Sequence, residues 1–124
     1  VYECTAPSDA LLVAAFEPEV NFYAERKFAA GLAFFSPGFF VAPRDQELAI
    51  ERLRRQAAPV ALIEVSGEPP LFERTYPRIA SYMSGRYRIA GELAGEDGRV
   101  YRILVDASAP VTRSYEPLAL PCWR

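Results

Sequence analysis

Three glutamates stand where an α/β chain would keep acid–base chemistry. Glu17 and Glu19 flank Pro18, and Glu68 lies in the segment "SGEPP". Carboxylates work as acid and base when their surroundings drive their pKa values apart. A small carboxylate-dependent enzyme is therefore one reading. The simpler reading makes Glu17 and Glu19 first-turn acids that favour a helix through its dipole, with Glu68 completing an acidic rim. The rest of the chain withholds the usual partners. It contains no histidine, the side chain suited to proton transfer near neutral pH, so Ser–His and Cys–His nucleophilic pairs are excluded. It has no G-x-S-x-G elbow; Ser66-Gly67 and Ser84-Gly85 read as a strand-exit turn and a helix end. After the first apolar run comes "FEPEVN", two carboxylates where a phosphate-binding glycine loop would bind a dinucleotide or nucleoside triphosphate. No metal-ligand spacing is present. No catalytic, cofactor or metal residue is assigned, and no cofactor is expected.

The other conspicuous stretch is "FFSPGFF" at residues 34–40, with Ser36, Phe39 and Phe40 beyond its first ring pair. In a strand, one of Phe34 and Phe35 must face the core, because side chains alternate. Phe39 and Phe40 either fold back over the sheet or form an exposed apolar patch, which would mark a contact surface. A stacking platform for a sugar ring is the third option.

Cys4 and Cys122 lie near opposite ends of the chain. Domain termini often meet, and a disulfide there would close a long loop, contributing about 3–5 kcal/mol. The alternative is two separate thiols. The spacing excludes a CxxC redox motif and a zinc knuckle.

With 124 residues, the chain is long enough for a single domain (1–124) that buries a core without metal or disulfide. Its net charge of −2 is not the basic footprint of a nucleic-acid binder. "RLRRQ" at 52–56 reads as a solvated helix end. No run reaches the length of a membrane span, and "DALLVAAFEPEV" is too short for a signal peptide. The chain opens at Val1 and its single methionine is Met83, so a longer parent protein is expected.

The elements that must position these residues follow from pattern. A continuous apolar run at 10–16 suits a strand buried on both faces. Pro18 opens a helix over 18–27, with Val20, Tyr23, Ala24 and Phe28 inward. Residues 32–35 read as a second strand. A helix follows from Asp45 with Ala49, Ile50, Leu53 and Ala57 inward, then a strand at 60–65. Leu71 and Phe72 begin a turn. Pro77 opens a helix with Ile79, Ala80 and Met83 inward, closed by Gly85 in the left-handed region. Asp97-Gly98 joins strands at 87–93 and 99–107 into a hairpin. The proline-rich tail, 108–124, reads as irregular. The fold expected is a three-layer, Rossmann-like α/β domain with core 9–107: a parallel β-α-β-α-β-α unit, sheet order 2-1-3, with an antiparallel hairpin at its edge.

The runs "DALLVAAFEPEVNFYAERKFAAGLAFFSPGFF", "PVALIEVSGEPPLFERTYPRIASYMSGRYRIAGEL" and "RVYRILVDA" resemble the soluble C-terminal domain of bacterial polytopic membrane glycosyltransferases. These are relatives of the protein mannosyltransferases and aminoarabinose transferases. The resemblance rests on Glu17-Pro18-Glu19 opening a helix that carries Phe22-Tyr23, on Arg26 beyond it, on a helix running from Leu53 to Pro59 before "PVALIEV", and on "Y-P-x-I-x-x-Y" from Tyr76 to Tyr82. In that family the catalytic loops belong to the membrane domain, so no catalytic residue carries over. The resemblance implies a domain on the extracytoplasmic, periplasmic face, packed against the membrane domain of the same parent chain. Phe39 and Phe40 would then lean on that domain or on the lipid surface.

Three readings result: a non-catalytic accessory domain for docking or acceptor recognition, an extracytoplasmic protein- or glycan-binding module, and a small carboxylate enzyme. The candidate surface common to them is Glu17, Glu19, Ser36, Phe39, Phe40 and Glu68. The binding-module reading expects a concave pocket near 36–40 and 66–70.

Overall fold

The computed structural model describes residues 1–67 and 70–124. Among the described residues the strands and α-helices follow in the order β1 (Ala10–Ala14), α1 (Glu19–Ala24), β2 (Lys27–Phe28), α2 (Pro43–Arg55), β3 (Val60–Glu64), α3 (Leu71–Thr75), α4 (Pro77–Arg86), β4 (Tyr87–Ala94), β5 (Val100–Asp106), β6 (Arg113–Tyr115) and β7 (Leu120–Cys122). The fold is mixed α/β. Five strands form one sheet in the order β2-β1-β3-β5-β4, while β6 and β7 pair separately as an antiparallel hairpin. β1 is parallel to both β2 and β3, and β5 is antiparallel to β3 and β4.

Alternation along β1 assigns its two faces. Ala10, Leu12 and Ala14 pack with Ala49, Ile50 and Leu53 of α2 and with Ile79 and Met83 of α4. Leu11 and Val13 pack on the opposite face with Ala24 of α1 and with Leu120 and Trp123 of the C-terminal segment. Burial of β1 on both faces explains why its sequence is a continuous apolar run rather than an alternating one.

The structure departs from the sequence reading in several places: α2 starts at Pro43, Ala57 lies beyond it and is exposed, and residues 71–75 are a helix, not a turn. Residues 32–35 are not a strand. Pairing with β1 falls instead to Lys27 and Phe28, opposite Ala10 and Leu11. The chain then leaves the ladder through a 3-10 turn (Ala29–Gly31), in which Ala30 and Gly31 both take positive φ. Ala29 and Ala30 are fully buried beneath α2, whose neighbour Gln56 accepts from the Ala30 N–H at 2.7 Å. Small residues are needed for that close approach, and the diversion consumes the positions that would otherwise continue the strand.

Helix α1 is shorter than expected. Glu25, at φ 51°, ends it, with the Arg26 N–H reaching back to the Asn21 carbonyl at 3.1 Å. Its inward face is Val20, Asn21 and Ala24, so Tyr23 and Phe28 are exposed. Asn21 occupies the inward position because its amide donates to the Leu11 carbonyl (2.9 Å) and the Lys27 carbonyl (3.3 Å), tying helix to sheet.

Gly85 lies inside α4 and is not a left-handed cap; the helix runs directly into β4. The Arg86 guanidinium stabilises that junction. It bonds Asp106 at 2.8 Å and the α2-terminal carbonyls of Leu53 (2.5 Å) and Gln56 (3.0 Å). Burial alone would raise the Asp106 pKa, but hydrogen bonds from Ser108 and Arg86 outweigh it and hold the carboxyl below its ordinary value.

The tail is not irregular throughout. β6 and β7 form a hairpin in which Pro121 faces Ser114. Each strand has an open side, where a proline's missing N–H costs no ladder bond. Cys122 of β7 is disulfide-bonded to Cys4, and the Trp123 N–H donates to the Cys4 carbonyl at 2.8 Å. Among the described residues no helix is long and apolar enough to cross a membrane.

Candidate functional site

The loop over residues 34–40 leaves β1's C-terminal edge with its backbone held from inside. The Phe35 N–H donates to the Ala15 carbonyl at 3.1 Å, and the buried Phe35 ring meets Phe72 and Tyr76 edge-on at 5.3 and 5.1 Å. The Tyr76 hydroxyl lies beneath the loop. It accepts from the Ser36 N–H at 3.0 Å and shares its proton between the carbonyls of Ser36 (2.6 Å) and Phe39 (2.7 Å). Burial pushes this phenol's pKa up, against the opposing pull of the Ser36 N–H. The buried Gln46 of α2 closes the far end, donating to the Val41 carbonyl at 2.7 Å and accepting from the Arg78 N–H at 3.0 Å.

Phe34, Phe39 and Phe40 are thus displayed on fixed backbone. Phe34 is half-buried and gathers Phe16 (5.0 Å), Phe39 (5.5 Å) and Phe40 (6.3 Å) around it. The three outer rings remain 65%, 53% and 40% exposed for Phe16, Phe39 and Phe40. Phe40 holds φ at 56°, a left-handed conformation that costs a bulky residue about 1–2 kcal/mol. Rotating it back would break the pinned turn, so the strain is held by Tyr76 and Gln46.

Tyr76→Phe tests that account. It leaves the Ser36 N–H and two carbonyls unpartnered, so stability falls by about 1–3 kcal/mol. Urea unfolding reads the loss, and hydrogen exchange at Ser36 should accelerate more than exchange in β3. An unchanged Ser36 amide would show that the phenol does not hold the loop.

The predicted carboxylates are bonded or placed as follows. Glu17 accepts from the Arg99 guanidinium at 2.7 Å and from the Tyr101 hydroxyl. Burial and this carboxylate push the Tyr101 phenol up to about 12. Glu19 is exposed on the first turn of α1, and Glu68 lies outside the described residues. Among the described residues, no group of three His, Cys, Asp or Glu side chains is placed to hold a metal.

Ser36 does line a concavity. Between the ends of β1 and β3 lies a cavity of about 410 Å³ bounded by Phe16, Phe35, Ser36, Glu64, Ser66 and Arg74. A second, more apolar groove of about 590 Å³ lies beside α4 on the outer sheet, lined by Phe72, Met83, Tyr87, Ile89 and Leu104. Phe16, Phe34, Glu64, Arg74 and Tyr76 line the cavity or build the ring cluster and its support, and the sequence reading did not place them in the candidate surface. Phe16 carried one usable signal: it is the last apolar residue before Glu17-Pro18, hence at the strand's exit. Tyr76 carried none, because its partner loop is some forty positions away.

Comparison with family models, with curated proteins and with solved structures finds no match to this chain in any of the three.

Proposed function

We propose that this domain is a non-catalytic, extracytoplasmic accessory module of a membrane glycosyltransferase-like protein. In this reading it is a Rossmann-like unit, with β1, β2 and β3 as its parallel half, and it docks through the phenylalanine platform onto the membrane domain of its parent chain. The observation that carries the proposal is the platform itself. Three rings stay exposed around Phe34, two of them, Phe39 and Phe40, on a loop pinned from within and the third, Phe16, just after β1. A rigid apolar display gains free energy only when something covers it. Two further features support it. The Cys4–Cys122 disulfide suits an oxidising compartment. Engagement of Glu17 by Arg99 and Tyr101 leaves that carboxylate serving structure, not proton transfer.

The test places a photo-crosslinking phenylalanine analogue at position 39 in the full parent protein, in membranes. The expected result is cross-linked peptides joining this domain to the membrane-embedded part of the same chain. Cross-links to a different polypeptide, or none above a control analogue at exposed Glu47, would reject the proposal.

A further inference from the structure

We infer that the cavity between the ends of β1 and β3 binds a single neutral pyranose ring of a glycan. The first ground is topology. β1 lies between β2 and β3, so the chain leaving β1 turns toward β2, while the chain leaving β3 turns the opposite way, toward α3, α4 and the hairpin. Open α/β sheets place ligands in the crevice that such a reversal leaves beyond the strand ends. This cavity occupies that crevice, with Phe16 following β1 and Glu64 and Ser66 at the end of β3.

The second ground is chemistry. At about 410 Å³ the cavity falls within the range of small-molecule sites, so it holds one ring with its solvent rather than an extended ligand. Part of the lining is apolar, with Phe35 buried and Phe16 exposed. Part is polar, with Ser36, Glu64, Ser66 and Arg74. Glu64 accepts from the Ser66 hydroxyl at 2.9 Å, and a carboxylate has further lone pairs with which to accept. A pyranose matches both kinds of lining. Its C–H face carries small positive charge and lies on the negative face of a phenyl ring. Its hydroxyls donate to a carboxylate and accept from a guanidinium at the same time. An anionic ligand fits poorly against Glu64. A purely apolar one would strip water from Glu64 and Arg74 without replacing it.

The cavity adjoins the docking loop, sharing Phe16, Ser36 and Tyr76 with it, but the exposed rings of Phe39 and Phe40 lie outside its lining. The test therefore reads the cavity directly. The 124-residue chain is titrated with the methyl pyranosides of glucose, galactose and mannose while backbone amide shifts are followed by NMR. At least one should bind with a Kd of about 1–10 mM. Saturable shifts should centre on Ser36, Glu64, Ser66 and Arg74 and leave Phe22 and Phe40 unmoved. Glu64→Gln should weaken that binding by about tenfold while the spectrum stays folded, and Phe16→Ala, at an exposed position, should weaken it similarly. No saturable shift with any of the three sugars overturns the inference. So does binding that Glu64→Gln leaves unchanged, or shifts centred on Phe39 and Phe40.

Discussion

Replacing Cys4 and Cys122 together by serine should lower the free energy of unfolding by about 5 kcal/mol. The two residues are 118 positions apart, so their bond closes a loop spanning nearly the whole chain. In the unfolded ensemble a loop of that length restricts almost every residue, and the entropy it removes grows with the logarithm of loop length. A domain of this size has about 5–15 kcal/mol of stability in all, so the loss is between a third and the whole. With a urea dependence of about 1.5 kcal/mol per molar, the midpoint should move down by roughly 3 M. Urea curves with and without reductant measure it. Coincident curves would show that the bond constrains nothing the fold does not already hold, and would remove its support for an oxidising compartment.

Arg26→Met should cost about 2–4 kcal/mol, because that guanidinium joins the leading segment to the end of α1. Arg26 is buried, with 6% of its surface exposed. Its charge is solvated by oxygen dipoles. It reaches the Thr5 hydroxyl at 2.7 Å, the carbonyls of Tyr2 (2.8 Å), Thr5 (2.6 Å), Ala24 (3.1 Å) and Glu25 (3.0 Å), and stacks over the Tyr2 ring. Removing it leaves several carbonyls at a closed surface without donors. Arg26→Lys should recover less than half the loss, since a single ammonium cannot span carbonyls on two segments as a planar fork does. Urea unfolding gives the magnitude, and limited proteolysis before Asp9 reports whether the leading segment detaches. A lysine variant as stable as the parent would show that charge alone, without the fork, suffices.

How far each element was legible follows the range of the forces that set it. Helix α2 reads from its apolar stripe and its basic last turn, which act within a few residues, although it starts at Pro43, two residues ahead of the Asp45 the sequence reading chose. The hairpin of β4 and β5 reads as well, because Gly98 supplies the positive φ its turn requires. The apolar run at 10–16 marked β1 because burial on both faces leaves no room for a polar residue. By contrast, residues 32–35 have strand composition and are not a strand, because two buried alanines under α2 divert the chain upstream. The tail's prolines hid a hairpin that a distant cysteine and the sheet's second face hold in place.

For the candidate site the same division holds. The residues themselves declared the absence of histidine, the acidic turn after β1 that excludes a phosphate loop, and an aromatic loop in need of explanation. Composition and local spacing settle such matters, because they concern which side chains exist and which neighbours lie within one turn. Only the tertiary structure decided that Glu17 is committed to Arg99 and Tyr101, that Tyr76 fixes the loop displaying Phe39 and Phe40, and that Phe16 joins them. Each of those contacts joins residues tens of positions apart, and which distant groups meet depends on how the sheet is ordered. Pairing across such distances must first overcome the entropy of closing long loops, so it is set by the packing of the whole domain.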